Sequence, residues 1–219
     1  MTVGDLLIWT RGPGLALALG ILVFGVLLRL FEIYSLGRKS DLSPARQTTP
    51  GSGWRTVFTR SLPPAGMTAR APVTYFGGYV FHIGLAVTVF LSIPHIELLR
   101  GLFGISWPGL PTPVVDAVAV VAMIGLLAVL ASRLTNTVKR LLSTFQDYFV
   151  WLLTLLPLLT GYMAYHHLLL DYPLMLALHI LSAELLIALL PFTKLFHAIS
   201  VFVSRWYTGQ MSARKGVAV

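Results

Sequence analysis

The residues of this chain best suited to chemistry are histidines set inside apolar runs. His179 and His197 stand eighteen residues apart in the stretch LHILSAELLIALLPFTKLFHAIS, Leu178–Ser200. His82 and His95 stand thirteen apart in a second apolar run. Imidazole is a common metal ligand, and polar ligating groups in a membrane-type helix are rare and functional by default. On an unbroken helix eighteen residues at about 100° each make five full turns, so His179 and His197 share a face roughly 27 Å apart. That separation approaches the hydrocarbon thickness of a bilayer, with Pro191 free to bend the helix. A ligand near each membrane face suits two stacked haems, each needing a second histidine from another helix.

The elements that must position these side chains follow from composition. Of 219 residues 56% are hydrophobic and only 11% charged, with a mean hydropathy of +0.80. A soluble domain carries about a quarter charged residues. The expected fold is an all-α integral membrane protein, one five-helix domain over residues 1–219. Apolar runs predict spans near 14–34, 75–98, 114–134, 148–165 and 173–201. Residues 37–70 read as a polar loop with a short interfacial helix near 54–62, residues 101–113 as an irregular proline-rich linker, and 204–219 as a basic tail. The opening MTVGDLLIW has an acid and no basic region, so it reads as part of the chain rather than a cleaved signal. Trp9, Trp54, Trp107, Trp151 and Trp206 fall near span ends, as belt residues do.

Basic residues set the orientation. Arg38, Lys39, Arg46, Arg55, Arg60, Arg70, Arg133, Lys139, Arg140, Lys194, Arg205, Arg214 and Lys215 gather on one predicted side, against Arg11 and Arg100 on the other. The positive-inside rule then puts the N-terminus outside and the C-terminus, with loop 37–70 and tail 204–219, in the cytoplasm. The second span runs outward and the fifth runs back. Equal depth therefore pairs His82 with His197 near the inner face and His95 with His179 near the outer face. Each pair is placed to clamp one b-type haem between two helices.

Other residue types narrow the chemistry. With no cysteine the chain has no disulfide, no thiolate iron–sulfur site and no covalent c-type haem. The net charge of +8 belongs to the predicted cytoplasmic side of a membrane protein, which argues against a nucleic-acid partner. The basic loop serves topology or docks a cytoplasmic subunit. Glu184, deep in the fifth span, is either hydrogen-bonded to a neighbouring helix or linked to proton movement. Lys194 reads as a snorkelling anchor or a haem-propionate partner. Arg29 and Glu32 are spaced to pair, and Asp116 and Asp147 sit at helix starts where the dipole favours them. His166 and His167 lie in a predicted outer loop, as solvated residues, a replacement fourth ligand, or an aid to quinol deprotonation.

The chain resembles the gamma subunit of respiratory nitrate reductase, a membrane cytochrome b. The resemblance rests on FHIG at Phe81–Gly84, LH at Leu178–His179, PFTKLFH at Pro191–His197, QDYF at Gln146–Phe149 and the five-span order. The same superfamily holds the sulfite reductase-linked and heterodisulfide reductase membrane cytochromes b. It implies His82 and His197 as axial ligands of an inner haem b and His179 as one ligand of an outer haem b. In the nitrate enzymes the fourth ligand follows the FHIG histidine by ten residues, and Ser92 stands there in this chain. His95, three residues later, turns about 220° off the His82 face of an ideal helix, and Pro94 is the feature able to redirect it. The resemblance implies electron transfer between membrane quinone and a cytoplasmic iron–sulfur or catalytic partner, in a prokaryotic inner membrane. Such a chain is an electron-transfer subunit, not a complete oxidoreductase. Two rivals of another class remain. One is a transporter, against which the sequence shows no pair of corresponding broken helices; the other is a haem-free structural anchor.

Overall fold

Proline and glycine decide where the helices of this protein stop, and the stops shape everything that follows. The computed structural model describes residues 2–37, 42–46, 51–64 and 66–217. Arg38 and Lys39, two of the basic loop residues, lie outside the described residues. The described residues are helical with no strand among them. Five helical segments are long and apolar enough to cross a membrane: Val3–Ser35, Pro72–Leu91, Thr112–Thr135, Phe145–Tyr165 and Tyr172–Phe192.

The first begins earlier than the hydropathy predicts. Helix α1, Val3–Trp9, is started by Thr2, whose hydroxyl accepts from the Asp5 amide while the Asp5 carboxylate accepts from the Thr2 amide. A wider π turn, Thr10–Gly14, follows. Pro13 inside it has no N–H for the regular helical ladder, and the chain absorbs that with one wide turn before α2, Leu15–Ser35. Along α2 Leu17, Val23, Phe24, Leu27 and Phe31 are exposed. A run of bare apolar side chains of that size suits lipid, not water.

The polar loop carries α3, Ser52–Thr59, where an interfacial helix was expected, and the short α4, Met67–Arg70. Helices α5, Pro72–Leu91, and α6, Ile93–Phe103, replace the single second span of the sequence reading. Pro94 sits in the first turn of α6, and Ser92 between the two helices is extended at φ −81, ψ 130. Then come α7, Thr112–Thr135, α8, Thr137–Leu141, and α9, Phe145–Tyr165. The predicted fifth span is also not one helix. Helix α10, Tyr172–Leu189, gives way to two tight turns, Leu190–Phe192 and Lys194–Phe196, with Thr193 extended between them at φ −124, ψ 178. Helix α11 starts at His197 and runs to Arg214, so the segment expected as a tail is largely helical. The cause is Pro191, which removes an amide from the ladder and crowds the preceding turn.

The long helices form a row in which α2 packs on α10, α10 on α9, α9 on α7 and α7 on α5. Phe81, Leu126 and Leu158 form a buried cluster across α5, α7 and α9, with Trp151 against it. Trp151 donates to the Leu126 carbonyl, and Trp206 lies against Gly53. Helices α5 and α7 approach closely because Gly77, Gly84, Ala122 and Gly125 meet between them. At the far end α11 packs on α3.

A broken helix in an apolar setting must find new partners for its freed carbonyls. At the α5–α6 break the Phe90 carbonyl faces Pro94, which has no amide, and the Trp107 indole N–H donates to it instead at 2.6 Å. The Leu110 amide donates to the Leu91 carbonyl. At the α10–α11 break Thr193 Oγ1 donates to the Leu189 carbonyl and Arg29 Nε donates to the Pro191 carbonyl. Arg29 also pairs with Glu32 at 2.8 Å, as its spacing implied. Trp107→Phe is expected to keep the ring and orphan the Phe90 carbonyl, costing about 1–3 kcal/mol. Thermal unfolding in detergent checks this; an unchanged midpoint refutes the capping role.

Candidate functional site

The two helix breaks each present an imidazole. His82 sits in the body of α5, on the side away from the α5–α7 glycine contact. His197 is the first residue of α11, turned toward it by the break after Pro191. Their ring centres lie 6.1 Å apart, at 81° between planes. His95 sits in the first turn of α6, swung round by the extended Ser92 and by Pro94. Its ring centre lies 6.0 Å from that of His179 on α10, at 31°. The structure thus brings together the pairs that depth alone matched, His82 with His197 and His95 with His179. It does so by a different geometry from the shared helix face, since His179 and His197 stand on separate helices.

Hydrogen bonds fix how these rings point. Each carbonyl here only accepts, so the nitrogen beside it carries the proton. His82 Nδ1–H donates to the Gly78 carbonyl at 2.7 Å, and His197 Nδ1–H to the Lys194 carbonyl at 2.8 Å. His95 Nδ1–H donates to the Thr88 carbonyl at 2.7 Å, one of the carbonyls near the end of α5. Each of these leaves Nε2 with a free lone pair. This is the arrangement found around metal-bound histidines, where the second nitrogen is tied to a carbonyl or carboxylate. His179 packs on Gly161, where an added Cβ would lie 2.8 Å from its Cε1, and Thr160 Oγ1 lies 3.5 Å from its Nδ1.

Separation then says what the pairs fit. Two imidazoles bound to one metal at about 2.0 Å, with ring centres about 1.1 Å behind each nitrogen, stand roughly 6 Å apart. Both pairs have that spacing. Among the described residues no three His, Asp or Glu side chains gather into a cage for a bare ion. A metal whose other positions are filled by a planar macrocycle needs two axial ligands only. His82 and His197 are exposed, and a Cβ built on Gly78, one turn before His82, would meet nothing within 4 Å. That open flank leaves room beside the ring of His82. The spacing, the tautomers and the open flank at Gly78 fit a haem at the His82–His197 pair, and the His95–His179 pair has the same ring spacing.

The other candidates fall elsewhere. His166 Nε2 lies 3.3 Å from Asp116 Oδ2 and its ring rests on Tyr162. His167 stacks on Tyr172 at 4.7 Å. Neither takes the place beside His179. Lys194 Nζ donates to Asp147 Oδ2 at 2.7 Å, and Arg133 lies 3.4 Å from the same carboxylate. Asp147 also caps α9 by accepting from the Thr144 amide. It therefore ties the ends of α7 and α9 to the turn whose Lys194 carbonyl orients His197, a role hidden from sequence by the distance in the chain between Asp147 and Lys194.

Glu184 is buried, 6% exposed, and its Oε1 has no hydrogen-bond partner among the described residues. Of the two readings for Glu184, the hydrogen bond to a neighbouring helix is not found among the described residues.

No protein-family model matches the chain, and no solved structure matches it. A curated protein of Nitratidesulfovibrio vulgaris (strain Hildenborough), which bears only the name "Protein", is 36% identical to it over 137 residues. The alignment covers 63% of this chain and 60% of the relative, so the chain spans about three fifths of that relative's length.

Proposed function

We propose that this chain is a five-span membrane cytochrome b that carries electrons between membrane quinone and a cytoplasmic redox partner. The observation that carries the reading is the double pair of neighbouring imidazoles, 6.1 and 6.0 Å apart between ring centres, three of whose four rings keep Nε2 free because Nδ1–H bonds to a carbonyl. The N-terminus lies outside and the C-terminus in the cytoplasm, by the distribution of Lys and Arg. His82 with His197 and His95 with His179 would each hold a b-type haem, which would supply reversible one-electron chemistry. The protein's part is to hold the two sites at fixed depth, exclude water, and set each potential by ligand and burial. Nine residues of α5, roughly 14 Å of helix, separate His82 from the helix end at Leu91, beyond which His95 stands, so the two sites lie at different depths. Cytoplasmic iron–sulfur or catalytic subunits would meet the basic inner side. The nitrate reductase gamma type fits the QDYF and PFTKLFH stretches, since Asp147 and Lys194 pair with one another. The serine at position 92, an extended break residue here, favours the sulfite reductase-linked or heterodisulfide reductase types.

The ring angles give a test. Axial imidazoles near perpendicular leave the iron orbitals nearly degenerate and widen the low-spin electron paramagnetic resonance spectrum, and parallel ones narrow it. The purified oxidised protein is expected to show two low-spin signals, a broad one from His82–His197 at 81° and a narrower one from His95–His179 at 31°. Absence of any low-spin signal refutes the reading. Asp147→Ala is expected to shift the broad signal alone, because it frees the turn that orients His197. It also costs about 1–2 kcal/mol through the lost helix cap. A shift of the narrow signal instead would refute that assignment.

The helix breaks also favour a second reading. Broken spans are a transporter feature, and the chain has two of them. Transporter breaks aim helix ends at a midplane substrate. Here each break aims an imidazole at another imidazole near the end of a span. A colourless protein with intact helices supports transport or anchoring.

A further inference from the structure

Arg29, Arg100 and Arg133 each meet a carboxylate, but two other arginines meet none and share one cleft. Helices α3, α4, α5 and α11 enclose this cleft, whose volume is about 630 Å³. Arg60 and Arg205 line it with the hydroxyls of Tyr75, Tyr79, Ser204 and Thr208, and among the described residues no Asp or Glu stands in its lining. Arg205 Nη1 donates to Ser61 Oγ at 2.9 Å, and Tyr79 Oη donates to the Ser61 carbonyl at 2.6 Å, so one serine joins α11 and α5 to the end of α3. The side chains of Arg60, Tyr75 and Thr208 make no hydrogen bond or ion pair among the described residues. Beside the cleft α3 and α11 touch closely. A Cβ on Gly53 would lie 2.7 Å from Trp206 Cδ1, and one on Gly209 would lie 2.7 Å from the Ser52 carbonyl.

The place of the cleft in the fold narrows its ligand. Tyr75 and Tyr79 stand in the first turns of α5, a candidate span that begins at Pro72. The cleft therefore lies at the end of a span, where a bilayer changes from hydrocarbon to head groups. The distribution of Lys and Arg assigns this end to the cytoplasmic leaflet. Leu62, part of the lining, is 71% exposed, and Trp54 and Phe58 on α3 are 62% and 72% exposed. Unpaired cations beside bare apolar side chains suit a ligand that is an anion with an apolar tail. Two guanidinium forks and free O–H donors match the oxygens of a phosphate, for which Arg is the best-shaped side chain. With no carboxylate in the lining, a head that also carries a cation would find no partner for it. The volume is that of a small-molecule site, far larger than a bare phosphate ion needs.

We infer that this cleft binds the phosphodiester head of an anionic phospholipid of the inner leaflet. Arg60 and Arg205 take the phosphate, Tyr75 and Thr208 donate to its remaining oxygens, and the acyl chains lie along Leu62, Phe58 and Trp54. Basic pockets between helices on the cytoplasmic side are a general form of lipid-head site. A head held there joins α3, α5 and α11 through one ligand. Helix α5 carries His82 and α11 begins at His197, so the lipid braces the two helices of the inner pair. The inference needs the membrane placement but not the haems.

The test uses the full-length protein, stripped of lipid in a neutral detergent and titrated with dioleoylphosphatidylglycerol. Native mass spectrometry counts the bound lipid, and the rise in thermal midpoint reports its affinity. The wild-type chain is expected to hold one phosphatidylglycerol and to bind dioleoylphosphatidylcholine more weakly. Arg60→Gln is the cleanest variant, since that side chain has no hydrogen bond among the described residues to lose. It is expected to weaken phosphatidylglycerol binding about tenfold, the loss of one charge-assisted contact. Arg205→Lys keeps the charge without the fork and should weaken binding by less. Equal binding by wild type and Arg60→Gln overturns the cleft, and so does equal binding of the two lipids. Inorganic phosphate that stabilises the wild type as well as the lipid does, and not Arg60→Gln, makes a soluble phosphate the ligand and overturns the lipid. A broad low-spin signal displaced in Arg60→Gln at unchanged lipid binding gives that guanidinium to a haem propionate and overturns the site while the cytochrome reading stands.

Discussion

His95→Ala is expected to lower the haem content from two per chain to one and to remove the narrower low-spin signal. The expectation comes from the way the outer pair is built. His95 is present at that depth only because Ser92 leaves the helix and Pro94 restarts it, and its ring is held by the Thr88 carbonyl. Without that imidazole His179 faces an empty position, and one axial ligand does not hold a haem as two do. The inner pair is on other turns and should keep its broad signal. His166→Ala is the matched control and should leave both signals, since His166 is spent on Asp116. Added imidazole should restore the narrow signal in His95→Ala, which a purely structural histidine would not allow. If His95→Ala keeps two haems and both signals, His95 is not a ligand.

Gly84→Val is expected to be the most damaging change away from the histidines. A Cβ at Gly84 would stand 2.5 Å from Ala122 Cβ and 3.3 Å from the Val118 carbonyl. Both obstacles are rigid, one a methyl on a helix and the other backbone, so α5 and α7 must separate. Overpacking of this kind costs about 1–3 kcal/mol in a well-packed interior. Because α5 carries His82 and leads into His95, the same shift loosens both pairs, and haem content should fall along with thermal stability. Gly20→Ala is the contrast. Its Cβ would meet nothing within 4 Å, and the change should be neutral or stabilise by about 0.5–1 kcal/mol. Equal behaviour of the two variants would refute the close α5–α7 contact.

Much of this arrangement was legible in the sequence, for reasons that differ by element. The five apolar runs are long, and length and hydropathy are robust signals, so the number of candidate spans was readable. The histidine pairs were readable from depth because a helix advances steadily along a membrane normal whatever its rotation. Rotation was not readable. The five-turn argument for His179 and His197 assumed one helix, and Pro191 and Thr193 divide it. The 220° objection to His95 assumed one helix too, and Ser92 and Pro94 divide that. Prolines mark where a helix is weakened, while the partners of the freed carbonyls decide whether it breaks. Those partners, Trp107 and Arg29, come from distant parts of the chain. The same holds for Asp147 with Lys194 and for Glu184, whose missing partner is a property of packing. Pro13 was visible, yet its effect, a wide turn continuing the first helix back to Val3, depended on the Thr2 cap that local hydropathy does not register.

On the proposed reading two histidine pairs, His82 with His197 and His95 with His179, each hold one non-covalent haem. The direct measurement is the haem-to-protein ratio of the purified wild-type chain, from its pyridine haemochrome spectrum and amino-acid analysis. A ratio near two is expected, with all haem extracted by acidified organic solvent, since no cysteine is present to bind it covalently. A ratio near one would contradict the outer pair, and a ratio of zero would contradict the cytochrome as a whole.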